Sequence, residues 1–143
     1  MIAIKEVEMR NQPKILIIGV GGGGNNAVNR MISAAVTGVS FANVNTDMFV
    51  LEKSLTEKRI QIGEKLLKGY GAGADPGVGE SAAIESEEEI RSLVEEMNMV
   101  IITCGMGGGT GTGAAPVIAR ICHEMDILTL GIVTLPFSFE SGQ

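Results

Sequence analysis

The stretch Lys14-Ile-Leu-Ile-Ile-Gly-Val-Gly-Gly-Gly-Gly24 decides the fold class of this chain. Its apolar part follows Pro13 and is short, which is typical of a strand that is buried on both faces of a sheet. Residues 19–24, which are five glycines and Val20, form what we call the first glycine segment. Apolar residues with helical spacing begin after it, at Val28. We therefore predict a strand, a glycine loop and a helix capped by Asn25 or Asn26.

The same order of strand, glycine loop and helix returns later in the chain. Met99 to Cys104 is a second buried apolar run, and Gly105-Met-Gly-Gly-Gly-Thr-Gly-Thr-Gly113, the second glycine segment, follows it. Its helix is predicted to start after the segment, with Pro116 in the first turn. Further strands are predicted at 39–44, 59–62 and 127–133. The expected fold is α/β, a three-layer, Rossmann-like, doubly wound and mostly parallel sheet with helices on both faces.

Composition limits the class of protein. The chain has 143 residues and 20 glycines, of which 17 lie within 19–24, 63–79 and 105–113. This clustering excludes a collagen repeat, and a hydrophobic content of 45% excludes a disordered chain. The net charge of −6 argues against a nucleic-acid partner. Because no apolar run is long enough to span a bilayer, we expect one cytoplasmic domain without direct membrane insertion.

Both glycine segments are candidate phosphate sites. A helix N-terminus offers unpaired N–H groups and partial positive charge, and glycine lets a phosphate approach the backbone. Neither segment contains Lys or Arg, so the pattern is not a P-loop. Phosphate charge would be met by N–H groups and by Mg²⁺ held through phosphates and water, with no direct metal ligand from the chain. The alternative for the first segment alone is a tight turn without a ligand.

Two strands that meet at the topological switch point would bring both segments to one crevice. Asn45 and Asp47 end the next strand, where a nucleotide fold places its ribose-binding group. A third glycine segment, residues 69–79, would add N–H groups, or else be an ordinary surface loop. The candidate site residues from these segments are Gly21, Gly22, Gly23, Gly24, Asn45, Asp47, Ala72, Gly73, Ala74, Gly105, Gly107, Gly108, Gly109, Thr110, Gly111, Thr112 and Gly113.

The order of five short motifs resembles the tubulin/FtsZ family of GTPases. The string Gly107-Gly-Gly-Thr-Gly-Thr-Gly113 is similar to the family signature. Residues 19–28, 45–47, 71–74 and 136–140 stand in the order of its FtsZ-type members. The resemblance implies an N-terminal extension over residues 1–13 and a GTP-binding domain over residues 14–143. It also implies that the central helix and C-terminal domain of the family are absent from this chain.

The resemblance further implies how a nucleotide is held. Residues 22–26 would contact phosphate and nucleotide, which adds Asn25 and Asn26 to the candidate site, and residues 72–74 would sense the γ-phosphate of GTP. Pro136 and Glu140 belong to a matched motif, and Glu140 corresponds to a ribose-contacting glutamate. Family members assemble head to tail, and acidic residues of the next subunit complete hydrolysis. No catalytic residue is therefore expected in this chain.

The implied partners are further copies or full-length FtsZ-type proteins, together with other cell-division proteins at the septum. The chain also departs from the family: Asp75 stands where Asn is usual, and the ending Glu140-Ser-Gly-Gln143 lacks an expected arginine. Weak nucleotide binding would follow. Asp47 and Asp75 are the acids nearest the glycine segments, and both are expected to be solvated loop carboxylates.

Two alternative functions stay open. The first is a truncated, non-hydrolysing module that interacts with or caps filaments. The second is a Rossmann NAD(P) oxidoreductase, which rests on the first glycine segment alone.

Overall fold

The computed structural model describes residues 12–68, 72–73, 75–105 and 107–134. Its strands are β1 (Ile15–Val20), β2 (Ser40–Asn45), β3 (Lys58–Gln61), β4 (Met99–Gly105) and β5 (Leu128–Thr134). Its helices are α1 (Gly21–Ser33), α2 (Met48–Glu52), α3 (Glu64–Leu67), α4 (Pro76–Glu85), α5 (Glu87–Val94) and α6 (Gly109–Glu124). The sheet order is β3-β2-β1-β4-β5, and every pairing is parallel. The predicted α/β fold with a parallel sheet is confirmed.

Helices cover both faces of the sheet. Leu16, Ile18 and Val20 of β1 lie in one buried cluster with apolar residues of α4, α5 and α6. On the opposite face, the Asn43 amide of β2 donates to the Asn29 side chain of α1. This two-sided burial explains why β1 is an uninterrupted apolar run. None of the helices within the described ranges is long and apolar enough to cross a membrane.

Both helices that follow the glycine segments begin inside those segments, earlier than the sequence predicted. Helix α1 begins at Gly21, before Asn25 and Asn26, and neither of these residues is its cap. Helix α6 begins at Gly109, so that Pro116 lies inside the helix and not in its first turn. Glycine is a weak helix former, and a pattern of glycines therefore predicts a loop. Close packing of the backbone overrides that preference here.

The packing of α4 on α6 shows this override directly. A methyl group placed on Gly113 would overlap the Pro76 carbonyl oxygen and lie 2.7 Å from the Glu80 nitrogen. A methyl group on Gly79 would overlap the Gly109 carbonyl oxygen. The two helices thus touch through backbone atoms at their N-terminal ends. This contact holds the start of α6 in place beside the sheet.

A ring of ion pairs joins α5 to α6 at the surface. Arg120 contacts Glu87 and Glu124 at 2.8 Å each, and Arg91 contacts the same two carboxylates. Hydrogen bonds from Arg120 and then Arg91 lower the pKa of both carboxyl groups below their ordinary value of 4.5. All four side chains are partly solvated, so the pairs stabilise the fold only modestly.

We expect the ring to make stability depend on pH. A carboxyl group whose pKa is lower in the folded state than in the unfolded state stabilises the fold at pH values above its unfolded pKa. This stabilisation disappears as the pH falls through the pKa of the folded state. At about pH 6, a Glu87→Gln/Glu124→Gln double variant is therefore expected to melt at a lower temperature than the parent chain. The difference in melting temperature is expected to shrink as the pH falls to about 3. Thermal melts of a Glu88→Gln/Glu89→Gln variant control for the change in net charge. An equal pH dependence in both variants would argue against the ring.

Candidate functional site

The carboxyl ends of β1 and β4 form the topological switch point of the sheet. The strands are neighbours, with Val20 paired to Cys104 at their ends. The chain leaves β1 toward β2 on one side and leaves β4 toward β5 on the other. Helices α1 and α6 both start directly beyond these strand ends. The structure thus brings the two glycine segments together at the place where α/β sheets bind ligands.

Several glycines allow the two segments to touch. A Cβ placed on Gly21 would lie 2.8 Å from the Gly111 nitrogen, and one on Gly23 would lie 3.0 Å from the Gly105 Cα. Gly21 also has a φ of 75°, which favours glycine. A Cβ on Gly24 would overlap the Thr103 carbonyl oxygen. These glycines act mainly by letting the two helix starts and β4 pack backbone to backbone.

Other glycines of the same segments face open space. A Cβ placed on Gly22, Gly107 or Gly108 would meet no atom of the described residues within 4 Å, and the same holds for Gly73 of the third segment. All four residues are exposed. A ligand can therefore reach the backbone at these positions, whereas the Cα of Gly113 faces α4. Glycine composition alone does not separate the two groups.

The helices at the switch point lack side-chain caps. Val20 and Gly108 are the N-caps of α1 and α6, and neither helix start receives a side-chain hydrogen bond from its cap. By contrast, Asp47 caps α2 by accepting from the Phe49 and Val50 N–H groups. No side-chain hydrogen bond from these two caps therefore competes with an anion for the first N–H groups of α1 and α6.

The two candidate acids serve as helix caps. Asp47 Oδ1 lies 2.9 Å from the Phe49 nitrogen, and Asp75 Oδ1 lies 2.9 Å from the Gly77 nitrogen at the start of α4. The sequence predicted both as solvated loop carboxylates; the structure adds that each accepts backbone hydrogen bonds. In each case Oδ1 is turned toward its own helix start and accepts from N–H groups there, which leaves this oxygen poorly placed to take a proton from water.

Asn25 and Asn45 are bonded within the protein. The Asn25 amide donates to the carbonyl oxygens of Gly19 at 2.8 Å and Val44 at 3.3 Å, and its oxygen accepts from Asn45 Nδ2 at 2.9 Å. Asn45 Oδ1 in turn accepts from the Asp47 N–H. Both asparagines are buried. Their side chains join the ends of β1 and β2 to α1, while Asn26 is exposed.

The two threonines of the second segment differ in their surroundings. Thr112 is exposed, whereas Thr110 is buried and its hydroxyl lies 2.9 Å from that of Thr46. Sequence reasoning did not select Thr46, although its neighbours Asn45 and Asp47 were candidates. The only available signal was its position in the same turn after β2.

Some candidates lie outside the described residues, namely Ala74, Pro136 and Glu140. Ala72 is half-buried and precedes Gly73. Within the described ranges, no group of three or more His, Cys, Asp or Glu side chains could hold a metal ion. Burial raises the pKa of the Cys104 and Cys122 thiols, so neither is an activated nucleophile.

An apolar groove of about 400 Å³ lies beside the second glycine segment, between α6 and strands β4 and β5. Ile102, Ala119 and Ile132 are among its lining residues. Its surface offers few polar groups and does not suit a phosphate.

The chain is similar to known proteins over most of its length. Residues 14–143 match the model of the tubulin/FtsZ family, GTPase domain. The chain is 60% identical over 131 residues to cell division protein FtsZ of Rickettsia felis, covering 92% of this chain and 29% of that protein. Identity to FtsZ of Rickettsia bellii is 58%, with 92% and 28% covered. The chain therefore spans about three tenths of the length of these relatives.

Solved structures give the same result. An empty FtsZ dimer from M. jannaschii superposes with a TM-score of 0.90 and 44% identity, covering 96% of this chain and 40% of that chain. A GDP-bound monomer of CetZ1 from Haloferax volcanii gives a TM-score of 0.77 and 29% identity, with 89% and 43% covered. The resemblance inferred from the five motifs is thereby confirmed. This chain belongs to the tubulin/FtsZ family, and its residues 14–143 match the GTPase domain of that family.

Proposed function

We propose that residues 14–143 form a domain that binds GTP and GDP at the junction of α1 and α6, as part of an FtsZ-type, filament-forming GTPase. One observation carries the proposal: two helix starts without side-chain caps lie side by side at the switch point, and Gly22, Gly107 and Gly108 are exposed there, with no described atom within 4 Å of an added Cβ. An anion with several negative charges, such as a triphosphate, matches this concentration of N–H donors. Its Mg²⁺ would be held through phosphates and water.

The chain's own residues would bind and orient the nucleotide. N–H groups at the starts of α1 and α6 would donate to phosphate oxygens, and Thr110 and Thr112 would add hydroxyl donors. Ala72 and Gly73 would contribute from a third side. Because Asp47 and Asp75 cap helices, the group that activates water would come from the next subunit in a head-to-tail filament. The relatives named for cell division support assembly with FtsZ-type chains at the septum.

Calorimetric titration of this chain with GTP, GDP, ATP and NAD tests the proposal. We expect GTP and GDP to bind, and ATP and NAD to bind more weakly. The alternative function, a Rossmann NAD(P) oxidoreductase, uses only the first glycine segment and gives no role to the second glycine segment, which contains Thr110. Tighter binding of NAD than of GTP would therefore overturn the proposal in favour of an oxidoreductase.

A second candidate function is a non-hydrolysing module that interacts with or caps FtsZ filaments. It is favoured by the capping roles of Asp47 and Asp75, because both candidate acids that the structure describes already accept backbone hydrogen bonds at helix starts. GTP turnover should be measured for the chain alone and after addition of full-length FtsZ. Turnover by the chain alone would exclude this candidate, whereas turnover only in the mixture would support completion of the site by a neighbour.

Replacement of the Thr110 hydroxyl is expected to weaken GTP binding. A Thr110→Val variant keeps the side-chain shape and loses one donor, which corresponds to about a fivefold rise in Kd. Thr129→Val is the matched control, because Thr129 lies on β5, away from the helix starts, and its hydroxyl donates to the Ile127 carbonyl oxygen. Equal affinities of Thr110→Val and the parent chain, with Gly109→Ala also unchanged, would remove the second glycine segment from the site.

A further inference from the structure

A buried hydroxyl pair connects the turn after β2 to the start of α6. Thr46 is fully buried, and its Oγ1 lies 2.9 Å from the Oγ1 of Thr110, which is 64 positions later in the chain. Neither hydroxyl has another hydrogen-bond partner among the residues that the structure describes. The preceding residue, Asn45, bonds to Asn25 of α1. One short turn thus contacts both helices of the candidate site.

We propose that Thr46 is a positioning residue that directs the Thr110 hydroxyl proton toward a bound phosphate. The inference rests on the proposed function, because it requires that Thr110 meets a phosphate. Each threonine hydroxyl carries one proton and can accept through its lone pairs. A single proton therefore lies between the two oxygens, and either residue can supply it.

Burial and ligand chemistry select the direction. If Thr46 donates, its proton is satisfied by Thr110 Oγ1, and the Thr110 proton is left for another acceptor. Phosphate oxygens are acceptors, so a bound phosphate favours this arrangement. If Thr110 donated instead, the Thr46 proton would be buried without a partner in the described part of the chain, which is unfavourable. The pair therefore presets Thr110 as a donor.

A double-mutant cycle on this chain tests the inference. GTP affinity is measured by calorimetry for the parent, Thr46→Val, Thr110→Val and the double variant, with Thr46→Ser as the conservative control. We expect Thr46→Val to raise the Kd for GTP about threefold to fivefold and Thr46→Ser to stay close to the parent. In the Thr110→Val background, Thr46→Val is expected to have no further effect, because the proton to be directed is gone.

The outcomes separate positioning from packing. Losses that multiply in the double variant would overturn the inference, and so would a Thr46→Ser variant as weak as Thr46→Val, since that result points to the methyl group. Thermal melts show whether a variant has a smaller folded fraction than the parent. A loss of affinity that is fully explained by a smaller folded fraction would also overturn the inference. A parent chain that binds no GTP would reject the proposed function itself. Binding by the parent with an unchanged Thr46→Val rejects the positioning role alone.

Discussion

Gly108→Asp is expected to make the fold more stable while GTP binding falls at least about 100-fold. Gly108 is the N-cap of α6, with φ −82° and ψ 143°, an extended conformation that aspartate adopts readily. A Cβ at this position meets no atom within 4 Å in the part of the chain that the structure describes, so the new side chain fits there. The carboxylate would accept from the N–H of Thr110 or Gly111, as Asp47 already does at the start of α2.

Opposite effects on folding and binding follow from one added group. A cap together with its interaction with the helix dipole stabilises by about 0.5–1 kcal/mol. The same carboxylate occupies the donors that a phosphate needs. It also repels each unit of phosphate charge about 5 Å away by about 3 kcal/mol at an effective dielectric constant of about 20. The sign of the two changes therefore identifies the α6 start as an anion site.

Denaturant unfolding and calorimetric titration with GTP measure the two effects. Gly108→Asn is the matched control, because it caps the helix with a neutral side chain of almost the same shape. It is expected to retain more of the GTP affinity than the aspartate variant. If Gly108→Asp binds GTP as tightly as the parent chain does, the start of α6 does not take part in phosphate binding.

Gly113→Ala is expected to destabilise the fold by about 3 kcal/mol. Helix propensity alone predicts the opposite, a gain of about 1 kcal/mol for glycine to alanine inside a helix. The tertiary contact decides the sign, because the new methyl group would overlap the Pro76 carbonyl oxygen and crowd the Glu80 nitrogen. These are backbone atoms of α4, which cannot turn aside as a flexible side chain would.

Gly22→Ala is the matched control for stability. Gly22 also lies in a helix, near the start of α1, but a Cβ there meets none of the described atoms within 4 Å. Urea unfolding is expected to show a small gain in the free energy of unfolding, no more than about 1 kcal/mol. A Gly113→Ala chain as stable as the Gly22→Ala chain would contradict the close approach of α4 to α6.

Part of the site was predictable from the sequence. The apolar runs at residues 14–20 and 99–104 identify buried parallel strands, and the structure pairs them as β1 and β4. Apolar period and length carry this information locally. The motif order also led to the correct family. The predicted starts of α1 and α6 were wrong by several residues. Glycines were interpreted as loop residues, whereas close backbone packing allows them inside these helices.

The side-chain partners were beyond local reasoning. Asn25 and Asn45 were candidate ligands by position, yet their amides bond to each other and to strand-end carbonyl oxygens. Thr46 gained its interest only from a partner 64 residues away. No periodicity or spacing rule encodes such contacts, because they depend on which strand ends meet.

The sequence by itself determined the parallel α/β fold, the two glycine segments before helices and the family, since periodicity and motif order are local properties of the chain. Tertiary structure alone decided which glycines serve packing and which face open space. Gly113 and Gly108 are close neighbours in one segment, yet a Cβ on the first would meet the backbone of α4, whereas a Cβ on the second would meet no described atom within 4 Å. The two glycines differ because the effect of lacking a Cβ depends on which atoms would surround that Cβ, and those atoms come from other parts of the chain.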